Sequence, residues 1–306
     1  MKRISPQRFR PPASKKGISK PDRRLKLVSG CFILPSLLGV ALFFVVPFAV
    51  VFYYAMIDNP ISGNFVFLDN FKSLLHNLAF KMAAKNTASF SLISVPLAVI
   101  LSLLLAILLD SQIPLRSQFR TFFLSPMMVP VASVVLIWQV IFHHNGALNA
   151  LLANFGIEPI DWLKSSYNQL VVILLFLWKN LGYNMILYLA AIANVPREIL
   201  EVATIEGCSS VGKFFHIKLR YLSSTILFVT ILSLINSFKL FREVYLLTGD
   251  HPYEGLYLLQ HFINNTFASL DYQKLSAAAI LMSAVMVVVI AILFLVESKF
   301  GKDVEG

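Results

Sequence analysis

Charge is scarce in this sequence. Only 14% of its 306 residues are Asp, Glu, Lys or Arg, where a soluble domain carries about a quarter. Hydrophobic residues make up 57%. They gather into several runs that approach or exceed the roughly 18 to 20 residues needed to cross a bilayer. Soluble classes are excluded, and an all-α polytopic membrane protein is expected in the lipid bilayer. Cysteine is nearly absent. Cys31 and Cys208 have no ligand-like spacing, which excludes a disulfide framework and offers no zinc site. Catalytic signatures are missing too: neither a G-x-S-x-G elbow nor an H-E-x-x-H helix occurs. His143 and His144 are adjacent, so they do not share a helix face, which argues against a metal site. The apolar runs also lack the chains of Asp and Glu expected of a proton pump. No enzyme activity, cofactor or metal is expected in this chain.

The charge that is present is unevenly placed. The net charge is +10, and ten of the 26 Lys and Arg lie in residues 1–26. With its Pro and Ser and few apolar residues, this segment reads as a disordered basic tail. It anchors topology and does not call for nucleic acid as a partner. Six spans are expected at 29–56, 87–109, 121–142, 169–193, 222–247 and 276–297. The first is longer than the 7 to 15 apolar residues of a signal peptide, and Pro35 and Pro47 should kink it. With the tail inside, one side of the membrane holds eighteen Lys and Arg and the other holds five. The excess of cations marks the cytoplasmic side, so both termini and the loop 195–220 are expected there. The expected organisation is thus a tail over 1–26, a transmembrane domain over 27–300 and a short tail over 301–306. The outer loops, 57–86, 143–168 and 248–275, are too short for a large folded domain.

The longest polar interruption that still looks helical is Val195 to Arg220. Pro196 suits the first position of a helix, where its missing N–H would be unpaired anyway. Glu198 and Glu201 follow in the electropositive first turns. Ile199, Val202, Ala203 and Ile205 repeat at a period near 3.6, which makes the segment amphipathic. Gly207 suits a left-handed cap. The same stretch nearly matches a phosphate-binding loop from Gly207 to Phe214. Phe214, however, stands where a hydroxyl must hold magnesium, and what precedes is helical where that loop needs a strand. Nucleotide chemistry therefore belongs to another chain.

Polar groups at membrane depth are few, and such groups are functional candidates by default. Lys179 lies near the middle of the fourth span. Beside it, Asn180, Tyr183 and Asn184 share a face by their spacing. In the fifth span Ser233, Asn236 and Ser237 form a second polar face, and Lys239 and Glu243 are placed to pair at i, i+4. For Asn180, Tyr183, Asn184 and Asn236, lining a translocation path and hydrogen-bonding between packed helices both stay open. Ser233 and Ser237 read more naturally as packing, though Ser237 lies on the same face. Ala277, Ala278, Ala279 and Ala284 read as sites of close helix contact.

Glu201-Val202-Ala203, Gly207, Ile217 and Leu219 fall at the spacing of the E-A-A, three residues, G, nine residues, I-x-L-P loop. The chain thereby resembles binding-protein-dependent ABC importer permeases. Val202 replaces the middle Ala, and Arg220 replaces the final Pro, which removes a helix-start marker. The resemblance extends over most of residues 30–300. It includes Arg116 to Pro130, the turn Asn145-Gly146-Ala147-Leu148-Asn149, Leu181-Gly182-Tyr183-Asn184, and Phe241 to Gly249. These point to the maltose and glycerol-phosphate permease branch. The resemblance implies a type I importer permease fold. It also implies a second permease subunit as heterodimer partner, two ATP-binding subunits, an extracytoplasmic solute-binding protein and a sugar substrate. The segment would then be the coupling helix, with Glu198, Glu201, Ala203 and Gly207 serving the contact with the ATPase. Di- and oligosaccharides are preferred over glycerol phosphate, because the midplane set offers many neutral groups and few cations. A stand-alone secondary carrier or channel is the alternative class, and it would transport alone on an ion gradient.

Overall fold

The structure, a computed structural model, describes residues 23–111 and 113–300. Most of the tail expected over 1–26, and the tail over 301–306, lie outside the described residues. The chain falls into two compact units, one ending at Val51 and the other beginning at Phe52.

The first unit holds helix α1 (Arg23–Val40), a π-helical turn (Ala41–Val45) and the start of α2 (Val46–Met56). The widened turn has a local cause. Pro47 lacks an N–H and its ring crowds the carbonyl four residues back. The helix absorbs this by a five-residue bond, in which the Val46 N–H donates to the Ala41 carbonyl. Nearly every side chain from Gly30 to Val50 is exposed, as expected of a helix that is apolar all round.

The second unit continues with α3 (Asp69–His76), α4 (Leu78–Asp110), α5 (Arg116–Met128), α6 (Val131–Phe142), α7 (Ala147–Ala153) and α8 (Asn168–Ala193). Then come α9 (Arg197–Ile205), α10 (Ser210–Lys213), a π-helical turn (Phe214–Lys218), α11 (Leu219–Tyr221), α12 (Ser223–Lys239), α13 (Phe241–Thr248), α14 (Leu259–Ala268) and α15 (Tyr272–Phe300). No strand occurs among the described residues beyond an isolated bridge between Ile57 and Phe65. Among the described residues, six helical stretches are long and apolar enough to cross a membrane.

Several boundaries differ from the sequence expectation: the first helix already begins at Arg23, and the fifth span is interrupted at Leu240. The second span begins at Leu78, nine residues early. Asn77 caps it by accepting the Phe80 N–H at 3.0 Å. The polar residues that read as loop lie on an exposed face (Lys81, Lys85), while Phe80, Ala83 and Thr87 are buried. The third span is not one helix over 121–142. It breaks between α5 and α6, because Pro130 drives Val129 to extended backbone at φ −79, ψ 129. The last span starts at Tyr272, four residues early.

Helix α8 is the centre of the second unit. Half of its central window is buried, more than in any other span. One apolar cluster joins it to α4 through Phe90, Ala98, Val172 and Phe176. Another joins it to α6 through Val134, Trp138, Val171 and Leu175. Against α5 the approach is closer still. A Cβ on Gly182 would lie 1.8 Å from the Phe123 carbonyl oxygen, so only glycine fits that crossing. Ala277 and Ala278 on α15 pack against Leu74, Phe80 and Phe262, as their small size predicts. Ala284, expected to pack likewise, is exposed.

Candidate functional site

The polar groups singled out in the sequence separate into two sets once α8 and α12 are in place. Asn184 is fully buried and donates from Nδ2 to the Ser233 hydroxyl at 2.9 Å. Ser237 is buried and lies 3.0 Å from the Ser91 hydroxyl of α4. Both hold helices together, and neither reaches the cavity described next. Asn180, Tyr183 and Asn236 do reach it. The Asn236 amide donates to Asn180 Oδ1 at 2.9 Å, and the Asn180 amide donates to the Phe176 carbonyl at 2.8 Å. The exposed sides of these amides face a cavity of about 900 Å³ walled by α5, α6, α8, α12, α13, α14 and α15.

One ion pair in this wall was not legible in the sequence. Glu243, only 7% exposed, pairs with Lys179 of α8. The expected i, i+4 pair of Glu243 with Lys239 does not form. The regular helix is interrupted at Leu240 (φ −64, ψ −13), between α12 and α13, and Glu243 is buried beside Lys179 while Lys239 is exposed. Lys239 and Arg242 instead border the cavity, with Gln260, Phe238 and Phe241. Glycine at 182 lets α5 close on α8, and residues of both helices, Met127 and Tyr183 among them, meet in the wall.

On the outer loops, the Asn145–Asn149 turn is a structural knot. Buried Asn149 donates from Nδ2 to the His144 carbonyl at 2.9 Å and the Ile160 carbonyl at 2.7 Å. Its Oδ1 accepts the Trp162 indole N–H at 2.9 Å. Full use of the amide explains why Asn stands there. His261 on α14 is fully buried and stacks edge-on against Phe241 at 4.6 Å. Burial pushes its pKa down from the ordinary 6.5 to about 4, against a smaller upward pull from Asp250.

The segment after α8 is the second place of interest. Pro196 is the residue before α9 rather than its first residue: its ψ of 125 is extended. Ala203 is buried, while Ile199, Val202 and Ile205 are exposed, Ile205 by 87%. Glu198 and Glu201 are exposed as well. The helix ends in a full Schellman turn. Gly207 sits at φ +78, its N–H donates to the Thr204 carbonyl at 3.1 Å, and the Cys208 N–H donates to the Ala203 carbonyl at 2.9 Å. Ser209 then caps α10 by accepting the Gly212 N–H at 3.1 Å. The helical path continues through Arg220 without the break a proline would bring. Lys213 donates to the Thr204 hydroxyl at 3.0 Å, and Lys218 pairs with Asp110 at 3.1 Å. The second of these ties the segment to the end of α4, a link that residues 108 apart in sequence do not advertise. The near-match to a phosphate loop, Gly207 to Phe214, follows α9 and itself contains α10, and no strand precedes it.

Comparison with known proteins gives a consistent result. Residues 98–302 match the family described as "Binding-protein-dependent transport system inner membrane component". The chain is 28% identical to the arabinooligosaccharides transport system permease protein AraP of Bacillus subtilis (strain 168), over 90% of this chain and 88% of that one. It is 32% identical to the lactose transport system permease protein LacF of Rhizobium radiobacter, over 73% of this chain and 78% of that one. Its fold matches a chain in the crystal structure of a bacterial ABC transporter that imports the acidic polysaccharide alginate. The TM-score there is 0.79 at 21% identity, covering 90% of this chain and 96% of that one.

Proposed function

The chain belongs to the family of inner membrane components of binding-protein-dependent transport systems, and from that premise we propose that it forms half of the translocation path of an ATP-driven saccharide importer. Sugar-transport relatives such as AraP and LacF support the saccharide. A second permease chain completes the path, two ATP-binding chains hydrolyse the nucleotide, and an extracytoplasmic binding protein delivers the solute. The chain lies in the bacterial inner membrane with both termini and the α9 segment on the cytoplasmic side, as the placement of Lys and Arg supports.

The observation that carries the proposal is the α9 segment. A nine-residue helix, closed by its own Schellman turn, leaves Ile199, Val202 and Ile205 without cover in this chain. Exposed apolar side chains rimmed by the acids Glu198 and Glu201 suit a groove on a partner. Closure of the ATP-binding chains would move α9, and the Lys218–Asp110 pair would pass that motion to α4. Asn180, Tyr183 and Asn236 then meet the solute, with amides for hydroxyls and a ring for a sugar face. Asn184 and Ser237 serve as packing that keeps this wall in register.

The test is purification of the tagged chain from its native membrane in mild detergent. A second six-helix permease and an ATP-binding chain should co-purify in near-equal amounts with it. A monomer or homo-oligomer that transports in liposomes without ATP would contradict the proposal.

A further inference from the structure

The ionisable groups around the α8–α12 cavity do not balance. Four border it: Lys179, Lys239, Arg242 and Glu243. Lys179 is taken up by Glu243. Lys239 and Arg242 have no carboxylate within ion-pair distance among the described residues. Three cations against one carboxylate leave two positive charges on one cavity wall. They lie inside the span Ser223–Thr248. Lys239 closes α12 and Arg242 lies in the first turn of α13, both away from the ends of that stretch. Charges at such depth are costly unless they have a partner. Within this chain the partner is missing, and the two cations open on the volume a solute would cross.

The chain geometry makes this arrangement deliberate. An unbroken helix would set Glu243 one turn from Lys239, where it could neutralise it. Here Glu243, three residues after the interruption at buried Leu240, is turned into the core toward Lys179 instead. Lys239 and Arg242 are left exposed on the cavity. Around them stand neutral amides (Asn180, Asn236, Gln260) and rings (Tyr183, Phe238, Phe241).

We propose that the solute crossing this cavity is an acidic saccharide, whose carboxylate or phosphate is met by Lys239 and Arg242 while the amides and rings take its hydroxyls and apolar ring faces. This inference rests on the importer reading and narrows its substrate. It also revises the sequence expectation of few cations, which treated Lys239 as paired and left Arg242 uncounted.

The test uses the complete transporter, with its own partner chains and binding protein, in proteoliposomes. Three probes are compared: digalacturonate for a carboxylate, glucose 6-phosphate for a phosphate, and maltose as a neutral sugar. The expected result is ATP-dependent uptake of one or both anions, the successful probe naming the acid group. Lys239→Gln and Arg242→Gln should each raise the KM for that anion by about tenfold or more, the range for losing a charge-assisted hydrogen bond. Lys239→Arg should restore most of the loss, which a merely structural role of the lysine stem would not require. Uptake of neither anion, or anion uptake with unchanged KM in both Gln variants, overturns the inference. If maltose is still taken up with ATP, the importer reading survives that outcome. Uptake that needs no ATP overturns both.

Discussion

Helices α8 and α9 are separated by only three residues, yet they are built on opposite terms. Helix α8 has most of its apolar side chains covered by its own chain, Leu170 and Leu174 apart, and half of its most apolar stretch is buried. Helix α9 buries only Ala203 and turns Val202 and Ile205 outward. Each region has one informative glycine. At Gly182 the constraint is contact, with the Phe123 carbonyl where a Cβ would be. At Gly207 nothing lies within 4 Å of such a Cβ, and the constraint is the backbone itself, at φ +78. The contrast teaches that α8 is packed largely within this chain, whereas α9 keeps an apolar face open, the face that on the proposal above an ATP-binding chain covers.

The comparison can be broken most forcefully at Gly182. Gly182→Val should prevent α5 from closing on α8 and cost more than about 3 kcal/mol, in the range of severe overpacking. A thermal-unfolding midpoint in detergent equal to that of the wild type would show that the crossing is not tight. Next comes the buried pair. Lys179→Met strands Glu243, 7% exposed, and should cost about 3–5 kcal/mol. The double variant with Glu243→Met should regain much of this, and the same melting assay checks it.

Gly207 should behave differently. Gly207→Val forces a β-branched residue into left-handed backbone, a strain of order 1–3 kcal/mol confined to one turn. The variant should insert and assemble, yet lose sugar uptake while ATP hydrolysis persists. Gly207→Asn, which tolerates this conformation, should keep uptake. Equal uptake by both variants would remove the coupling role from this turn. The smallest effect concerns neither helix and sets a baseline for both. His261 is held neutral, so the unfolded chain binds its proton first as pH falls. Stability should be full above about pH 6.5 and decline as pH falls toward 4. His261→Phe should flatten the melting temperature across that window.

How much of this was legible in the sequence differs between the two regions for physical reasons. The Schellman turn follows from one glycine at one spacing, and α9 from its period, because both are local. Lys179 could be flagged from its depth alone. Its partner could not be named, because Glu243 lies 64 residues away and faces it only after the break at Leu240. A break at a leucine has no composition signal. The break at Pro130 had one, and it was overridden by the hydropathy of the surrounding run. Asn180 and Asn184 look alike in sequence, one turn apart on the same face. Packing by Ser233 separates them, one at the cavity and the other in the core.

The central claim, that α9 is finished by a separate ATP-binding chain, has a direct measurement. Cys31 and Cys208 are replaced by Ser, a single cysteine is placed at Val202 or Ile205, and a short cross-linker is applied to native membranes. Both positions are expected to link this chain to an ATP-binding protein, with Thr204→Cys, on the side facing Lys213, linking far less. Cross-links confined to copies of this chain, or equal yields from all three positions, would contradict the account.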